Sequence, residues 1–338
     1  MKYLTNLIIF LSVYCVQSII AQPGWFQQTS GIATDLNTVS FITEDYGFAA
    51  GDGGVILKTT NGGSTWTPLT SGTTSDFYDV LLLDQNNGFV VGSGGTILRT
   101  TDGGSNWSPL TSGVSDNLFS ISINGTFGLI GGGSQTILST TNGGSSWNEV
   151  QSGFFGGGFW AASIINSSSG VVAGQNSIFQ PMIASTTDSG GNWEFTPFYL
   201  NTNEGRLHGC HFFDINNGIT IAAVWDGQGA VSRTTNGGIN WITNLFPQAL
   251  FGLDFPTSST AYTVGYDGFI LKSTNGGLNW ETQNSGTNAW LKAVSFATSE
   301  VGYVVGEAGT ILKTTAGGVI PVELTSFTTS VSGNDVTV

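Results

Sequence analysis

The sequence predicts an all-β protein, a seven-bladed β-propeller closed by an N-terminal strand that completes the last blade. Three observations carry this prediction: a turn motif that repeats along the chain, four strand-like runs in each repeat, and the composition. The 338 residues include 50 glycines, and only 9% of them are charged, against an average of about 25%. No segment after the first 21 residues shows a helical period over three turns. Such a chain is typical of many short strands joined by tight turns.

The repeated turn is an octet that first reads TTNGGSTW at residues 59–66. Five further copies end at Trp107, Trp147, Trp193, Trp241 and Trp280, and a seventh at 314–318 stops before its tryptophan. The spacing of 39 to 48 residues is the size of one four-stranded blade.

The polar residue, the glycines and the tryptophan of the octet each have a structural explanation. The short polar side chain in third place accepts backbone N–H bonds within its own turn. The glycines adopt the positive φ values that the reversal requires, and the tryptophan covers the hairpin and packs between sheets. We therefore assign structural roles to the third and eighth residues, which are Asn61, Trp66, Asp102, Trp107, Asn142, Trp147, Asp188, Trp193, Asn236, Trp241, Asn275 and Trp280.

Four strands follow one another in each unit, and in the second unit they are predicted at 77–83, 89–92, 96–101 and 107–111. The segments between them are rich in Asp, Asn, Ser and Gly, as turns are. The first recognisable strand of the chain, at 25–29, matches a fourth strand, and the last unit lacks one. Pairing the two closes a ring of seven blades and removes an exposed sheet edge. An open solenoid is the alternative architecture.

The chain divides into three segments. Residues 1–21 have the Lys2 start, the apolar run and the Ala21 end of a signal peptide, with an uncleaved anchor as the alternative. Residues 22–318 form the propeller, and residues 319–338 are a linker or the start of a further domain. After cleavage Cys210 is the only cysteine, so the fold closes without an intramolecular disulfide.

Charge excludes some classes of partner. The formal net charge is −14, and the eight Lys and Arg residues are not clustered. Nucleic acids and anionic membrane surfaces are bound through clustered cations, so neither is an expected partner. No transmembrane segment is expected once the signal peptide is removed.

The octets resemble the Asp-boxes of sialidases and related BNR-repeat propellers, with Asn in place of Asp in most copies. The wider unit, with GFVVG at 88–92, GTILRTT at 95–101 and DGGSNW at 102–107, is more similar to the propeller family of a photosystem II stability and assembly factor. This resemblance extends over residues 22–318 and implies the fold rather than a function.

The tail IPVELTSF at 320–327 resembles the opening of a C-terminal sorting domain of type IX secretion. That resemblance implies a longer natural chain, the secretion machinery as a partner, and a location in the medium or on the outer cell surface.

The most informative functional positions lie where each innermost strand starts. Aligned along the repeat, they are Asn37, Tyr78, Phe119, Trp160, His208, Phe251 and Lys292, and we call them the mouth column. Propeller geometry brings them to one mouth of the central channel, where aromatic rings suit a glycan or a peptide. The alternative is that these rings pack between blades.

The loops of the same face contribute further candidates. They are Phe154, Phe155, Phe159, Glu204, Arg206, Asp226, Asp267 and Glu307, in loops that depart from the repeat or lie beside it. From the column and these loops we predict a ligand site that includes Phe155, Trp160, Tyr78, Phe119, Glu204, Arg206, His208, Asp226, Phe251 and Asp267.

We assign no catalytic residue, metal or cofactor. The alternative to a binding module is a glycoside hydrolase, which needs two facing carboxylates, and Asp226, Asp254, Asp267 and Glu307 are predicted in or near loops. A glucan-active enzyme is favoured over a sialidase, because Arg99 and Arg233 occupy the repeat position of Lys58 and read as repeat surface residues.

Metal sites are not expected from the loops 84–88, 201–205 and 214–218, because each has one acid where calcium requires several. His208 and His211 beside Cys210 lack the further ligands of a zinc site, and His211 is predicted to pack between blades. The sequence thus predicts a secreted or surface-exposed binding or scaffold module for a glycan or a protein.

Overall fold

A computed structural model of the protein describes residues 24–150, 156–197 and 205–318, together with the short strands at 330–332 and 335–337. Over these ranges the chain is almost entirely β-structure, with four single-turn 3₁₀ segments at Asp52–Gly54, Ser93–Gly95, Tyr266–Gly268 and Glu307–Gly309 and no α-helix. Seven four-stranded antiparallel sheets follow one another, which confirms the seven-bladed propeller.

The strands are numbered in chain order, beginning with β1 (Phe26–Gln28). Blade 1 consists of β2 (Leu36–Phe41), β3 (Gly47–Gly51), β4 (Ile56–Thr59) and β5 (Thr67–Leu69), and blade 2 of β6 (Phe77–Leu82), β7 (Gly88–Gly92), β8 (Ile97–Thr100) and β9 (Ser108–Leu110). Blade 3 consists of β10 (Leu118–Asn124), β11 (Phe127–Gly132), β12 (Ile137–Thr140) and β13 (Asn148–Glu149), and blade 4 of β14 (Gly158–Ile164), β15 (Gly170–Gln175), β16 (Pro181–Thr186) and β17 (Glu194–Pro197).

Blade 5 consists of β18 (Gly205–Phe212), β19 (Gly218–Val224), β20 (Gly229–Thr234) and β21 (Ile242–Phe246), and blade 6 of β22 (Leu250–Asp254), β23 (Ala261–Gly265), β24 (Ile270–Ser273) and β25 (Glu281–Gln283). Blade 7 takes β26 (Leu291–Phe296), β27 (Gly302–Gly306) and β28 (Ile311–Thr314) from the end of the propeller and β1 from its beginning. The strands β29 (Ser330–Ser332) and β30 (Asp335–Thr337) pair with each other, and the sorting-domain interpretation of the tail stays a prediction.

The N-terminal strand closes the ring as predicted. β1 pairs with β28 through Phe26 and Lys313 at one end and Gln28 and Ile311 at the other. Immediately before it, the fully buried Trp25 meets the ring of Phe296 edge-to-face at 5.7 Å. Trp66 meets Phe41 in the same way at 5.9 Å in blade 1. Trp25 therefore supplies the tryptophan that the seventh octet lacks, so strand and turn motif are both completed from the two ends of the chain.

The octets form compact turns held by their own side chains. The Asp102 carboxylate accepts a hydrogen bond from the backbone N–H of Asn106 at 2.9 Å and one from the Thr100 hydroxyl at 3.0 Å. Gly104 N–H donates to the same hydroxyl at 2.8 Å. Gly103 and Gly104 have φ of 68° and 83°, values that residues with a Cβ rarely adopt. The closing tryptophans are buried at Trp66 and Trp147 and half-buried in the other copies.

Neighbouring blades are joined around the channel by side chains of the innermost strands. The Thr38 hydroxyl accepts a hydrogen bond from Val80 N–H, Asp79 accepts one from Ile121 N–H, and the Ser120 hydroxyl accepts one from Ala162 N–H, at 3.1, 2.9 and 3.2 Å. Because a backbone N–H inside the ring must find an acceptor, these side chains take the place of a strand partner.

Asp254, predicted in or near a loop, lies where β22 meets the following loop and belongs to the same set of bonds. It is the last residue of β22 and accepts a hydrogen bond from Phe296 N–H of blade 7 at 2.6 Å. Burial raises the pKa of Asp254 and of Asp79 to about 6. Both carboxyl groups connect blades.

Candidate functional site

One residue in every innermost strand is a β-bulge. The register between the first and second strands shifts at that residue in all seven blades. The seven bulged residues are those of the mouth column: Asn37, Tyr78, Phe119, Trp160, His208, Phe251 and Lys292. A bulge leaves its extra residue outside the ladder and redirects the side chain. The repeated bulge is therefore the structural reason why these side chains can line the channel instead of joining a sheet face.

The bulged residues meet at a cavity of about 630 Å³ at one mouth of the channel. Its lining comprises the whole mouth column together with Asp52, Asp76, Gln175, Arg206, Ala223, Val224, Trp225, Tyr266 and Trp290. A smaller cavity of about 160 Å³ lies deeper in the channel, where Asp79 and Ser120 join the column residues. The size of the upper cavity is within the range of ligand sites.

Aromatic rings from blades 2, 3 and 4 form one side of the cavity. Phe119 and Trp160 are stacked, with ring centroids 5.2 Å apart and planes 18° apart. Tyr78 adjoins Phe119 at 5.3 Å, and the guanidinium of Arg206 lies over the Trp160 ring at 4.3 Å. Only part of each ring is solvent-exposed, so this wall is apolar, rigid and capped by a cation.

A second aromatic group comes from blades 5 and 6 and the start of blade 7. Tyr266 and Trp290 are stacked at 4.6 Å with planes 23° apart, and Phe251 contacts Trp290 at 4.8 Å. His208 meets Phe251 edge-to-face at 4.8 Å. Burial, with a smaller contribution from the Arg206 charge, lowers the pKa of His208 to about 3. His208 is therefore neutral at ordinary pH and acts as a polar member of an aromatic wall.

The remaining arc of the mouth is polar and internally paired. The Lys292 ammonium donates to the Asp35 carboxylate at 2.8 Å and to the Asn37 amide oxygen at 2.9 Å. The Asn37 amide group in turn donates to Asp52 at 2.6 Å. The Lys292 hydrogen bond holds the pKa of Asp35 below its usual value. This arc gives the cavity hydrogen-bonding groups whose positions are fixed before a ligand arrives.

An apolar shelf, consisting of Ile178, Phe179 and Trp225, stands at the rim beside Arg206. Ile178 and Trp225 are each 63% exposed, and Phe179 meets Trp225 edge-to-face at 5.1 Å. Phe179 has a φ of +63°, a strained value for an aromatic residue. The Asn176 carboxamide oxygen holds this turn by accepting the N–H groups of Ile178 and Gln180. The loop thus presents apolar side chains to solvent in a conformation that costs free energy.

The structure brings most of the predicted site residues together. Tyr78, Phe119, Trp160, Arg206, His208 and Phe251 line the cavity, whereas Asp226 and Asp267 are exposed loop residues outside its lining. Phe154, Phe155 and Glu204 lie outside the described residues.

Two of the loop candidates have other roles. Phe159 is not on the ligand face: it is fully buried between blades 3 and 4, because the bulge at Trp160 leaves its predecessor pointing into the sheet packing. Glu307 accepts a hydrogen bond from Trp290 N–H, and it is not part of the lining either.

Three lining aromatics were not predicted: Trp225, Tyr266 and Trp290. Trp225 and Tyr266 immediately precede the candidates Asp226 and Asp267, and Trp290 lies two residues before Lys292. The signal that could have found them is an aromatic residue in a loop where most other repeats have a small or polar residue.

The residues at which no metal site was expected have structural roles. Asp84 and Asp214 accept backbone N–H bonds within their own turns. His211 stacks on Phe255 at 4.6 Å, so it packs between blades 5 and 6 as predicted, and burial lowers its pKa to about 4. Within the part of the chain that the structure describes, no three metal-ligating side chains come together.

Comparison with known proteins supports the fold and one family resemblance. Residues 64–153 match the family described as photosynthesis system II assembly factor YCF48, which confirms over that segment the resemblance seen in the repeat. No curated protein sequence matches the chain.

Among solved structures, YCF48 bound to D1 peptide is 21% identical, with a TM-score of 0.69 over 89% of this chain and 99% of that one. YCF48 from Cyanidioschyzon merolae is 19% identical, with a TM-score of 0.67 over 86% and 98%. The GH74 xyloglucanase from Xanthomonas campestris is 12% identical, with a TM-score of 0.68 over 88% of this chain and 54% of the enzyme. In the ranges described, no helix is long and apolar enough to cross a membrane.

Proposed function

We propose that the protein is a non-catalytic binding or scaffold module whose ligand, a protein segment or a glycan, occupies the channel mouth. The observation that carries the proposal is the convergence of all seven bulged residues on one cavity. Packing between blades does not require a bulge that directs Trp160 or Phe119 towards the channel. A ligand-binding surface requires it, because the side chains must reach the channel mouth.

The chemistry of the cavity fits a ligand that is partly apolar and partly polar. The stacked pairs Phe119–Trp160 and Tyr266–Trp290 offer flat faces to sugar rings or to apolar side chains. Arg206 and the Lys292–Asn37–Asp52 chain of hydrogen bonds supply polar partners. Since these groups are already fixed by one another, binding orders few side chains and loses little entropy.

The structural neighbours give each ligand class some support. One YCF48 structure holds the D1 peptide, which favours a protein segment, and the GH74 neighbour is a xyloglucanase, which favours a glycan. The apolar shelf favours a protein ligand, because the aliphatic side chain of Ile178 cannot form a hydrogen bond with a sugar hydroxyl.

A glycoside hydrolase is the second candidate, and the observation in its favour is that Asp52 and Asp76 both line the cavity. A glycosidase acid must hold its proton near neutral pH, which requires a raised pKa. Asp79 and Asp254, whose pKa values burial raises to about 6, accept backbone N–H groups of the next blade, and Asp52 and Asp76 accept hydrogen bonds from the Asn37 amide and from Gly53 N–H. Binding without turnover is therefore the better-supported function.

We further propose that the protein is exported. The proposal rests on the signal-like residues 1–21 and on the sorting-domain resemblance of residues 320–327. Fractionation of cells that express the full chain tests it. Recovery of the protein in the cytoplasm with residues 1–21 intact would refute it.

The binding proposal is tested by probing the purified protein with a glycan array and with a library of displayed peptides. Every selected ligand is then incubated with the protein and examined for cleavage. Retained, uncleaved ligands are expected. Release of a shortened glycan would assign the protein to the hydrolases.

A further inference from the structure

Three blade junctions are bridged by a lysine. Lys58, Lys272 and Lys313 stand at the same position of the third strand in blades 1, 6 and 7. Their ammonium groups donate to the carbonyl oxygens of Gly103, Gly317 and Gly62 at 2.7, 2.8 and 2.7 Å. Each carbonyl belongs to the fourth residue of the octet in the next blade. An ammonium group seated on the neighbouring octet is thus a recurrent element of this ring.

The bridging lysines are accompanied by aromatic rings. Across the sheet, Lys272 is paired with Tyr262 and Lys313 with Tyr303, and each ammonium lies 5.5 and 5.3 Å from the centre of its tyrosine ring. In blade 3 the same cross-strand pair is Leu129 and Ser139. Blade 3 therefore has neither the cation nor its aromatic partner at this pair, and the octet of blade 4 receives no ammonium from it.

A cleft of about 410 Å³ lies at this junction of blades 3 and 4. Its lining residues are Ser139, Glu149, Val150, Gly190, Gly191, Asn192 and Trp193, none of which is a cation. Glu149 is exposed. Beside the cleft, Asp188 accepts hydrogen bonds from the backbone and side chain of Asn192, which lower its pKa. The cleft therefore has an exposed carboxylate and a neighbouring ionised one, and no cation among its described lining residues.

We propose that this cleft, which opens where Ser139 stands in place of the lysine of blades 1, 6 and 7, binds an alkylammonium group supplied from outside the chain. The proposal concerns a second site, at the outer part of the blades, and does not depend on the function proposed for the channel mouth.

The lining also explains the choice of an alkylammonium over a metal ion. One carboxylate in the lining is too few for calcium, which takes six to eight oxygen ligands. Val150 and Trp193 provide apolar surface for the methylene chain of an amine, and an indole ring attracts a cation. The Trp193 N–H is already bonded to Gly190 at 3.1 Å, so the ring is held in place. The ligand is a lysine side chain of another protein or a free aliphatic amine, since both present the same group.

The test follows the indole signals of the ¹⁵N-labelled full chain by NMR at low salt, during titration with two probes. Nα-acetyl-lysine N-methylamide represents a protein lysine, putrescine represents a free amine, and the norleucine analogue of the first probe is the uncharged control. We expect the Trp193 signal to move with a Kd on the order of millimolar, and the norleucine probe to leave it in place. A response to the lysine probe alone identifies a protein partner, whereas equal responses identify free amines as ligands.

Two substitutions make the assignment specific. Ser139→Lys restores the lysine of the repeat and should weaken binding of the amine by about tenfold or more, because the site is then filled from within. Glu149→Gln should weaken binding several-fold through loss of one charge. Ser185→Lys, the same substitution one blade further on, is the matched control and should bind like the wild type.

Several results would overturn the proposal. One is the absence of any Trp193 shift at about 50 mM amine, which excludes even millimolar affinity. Another is amine binding by Ser139→Lys that equals the wild type. If Ser139→Lys does not fold, unchanged binding by Glu149→Gln rejects the site by itself.

Discussion

The guanidinium group of Arg206 lies over the indole ring of Trp160, 4.3 Å from the ring centroid. Trp160 is itself stacked on Phe119, so one column of planar groups is built from blades 3, 4 and 5. Phe119 and Trp160 are the bulged residues of adjacent blades, so the stack forms only because these two bulges align around the channel. It fixes the shape of the mouth, and it makes Trp160 the residue whose loss should affect ligand binding most.

Trp160→Ala should weaken binding of the ligands selected on the arrays by about tenfold or more, because central aromatic residues dominate binding energies. Its side chain is only half-buried, so the loss of stability should be smaller than for a core tryptophan. Calorimetric titration and urea unfolding measure the two effects. Leu278→Ala, on an exposed octet turn, is the control and should change neither.

Phe179→Gly should weaken ligand binding while costing no more than about 1 kcal/mol of unfolding free energy. Glycine relieves the strain of the +63° φ angle, which offsets the greater entropy it gives the unfolded chain. The contact with Trp225 at the rim is lost. Ala308→Gly, at φ +51° in a corresponding loop of blade 7, is the matched control. It should preserve binding, and equal binding by Phe179→Gly would show that the apolar shelf takes no part.

Asp254→Ser should change how stability depends on pH. Burial raises the pKa of Asp254 from 3.8 to about 6, so the folded protein holds this proton more tightly than the unfolded chain. The associated stabilisation is complete below about pH 4 and is lost as the pH rises through about 6. Serine occupies the corresponding position in blade 7, where Ser295 accepts a backbone N–H, and it does not titrate.

Relative to the wild type, Asp254→Ser should therefore gain stability between pH 4 and pH 7. Urea unfolding at several pH values gives the difference directly. A difference that stays constant over this range would mean that the carboxyl titrates normally in the folded protein.

Trp25→Ala should destabilise the protein by about 3–5 kcal/mol, the cost of truncating a fully buried tryptophan. The indole is buried against Tyr262 and Phe296, which belong to the last two blades. Trp107→Ala should destabilise the protein less, because Trp107 is only half-buried.

Deleting residues 22–30 should destabilise the protein more than Trp25→Ala and promote aggregation, since β28 becomes an exposed edge. A deletion variant that stays monomeric with an unchanged melting temperature would contradict closure by β1.

The sequence repeat was enough to predict the features of the fold that recur from blade to blade. The count of blades, the closure by β1 and the mouth column all follow from aligning one unit on the next, because the same positions recur with the same role. The bulge at Trp160 was not predictable, since nothing in an apolar strand marks where its register will shift, and Phe159 was misplaced for that reason.

Contacts between blades could not be predicted from the sequence either. The sequence suggests that Lys58 is a surface residue, but in the structure its ammonium group donates to the octet of blade 2. Asp254 reads as a loop carboxylate until Phe296 is found to donate to it. Both depend on residues about 40 positions away.

The central claim, that the channel mouth is the ligand site, is tested most directly by comparing a variant at the mouth with a variant at the octet turns. Ligands selected on the wild-type protein are titrated into Trp160→Ala and into Leu278→Ala under the same conditions. The account predicts at least about tenfold weaker binding to Trp160→Ala and wild-type binding to Leu278→Ala. If the ligands bind Trp160→Ala with wild-type affinity but bind Leu278→Ala more weakly, the site lies on the octet turns and the claim is contradicted.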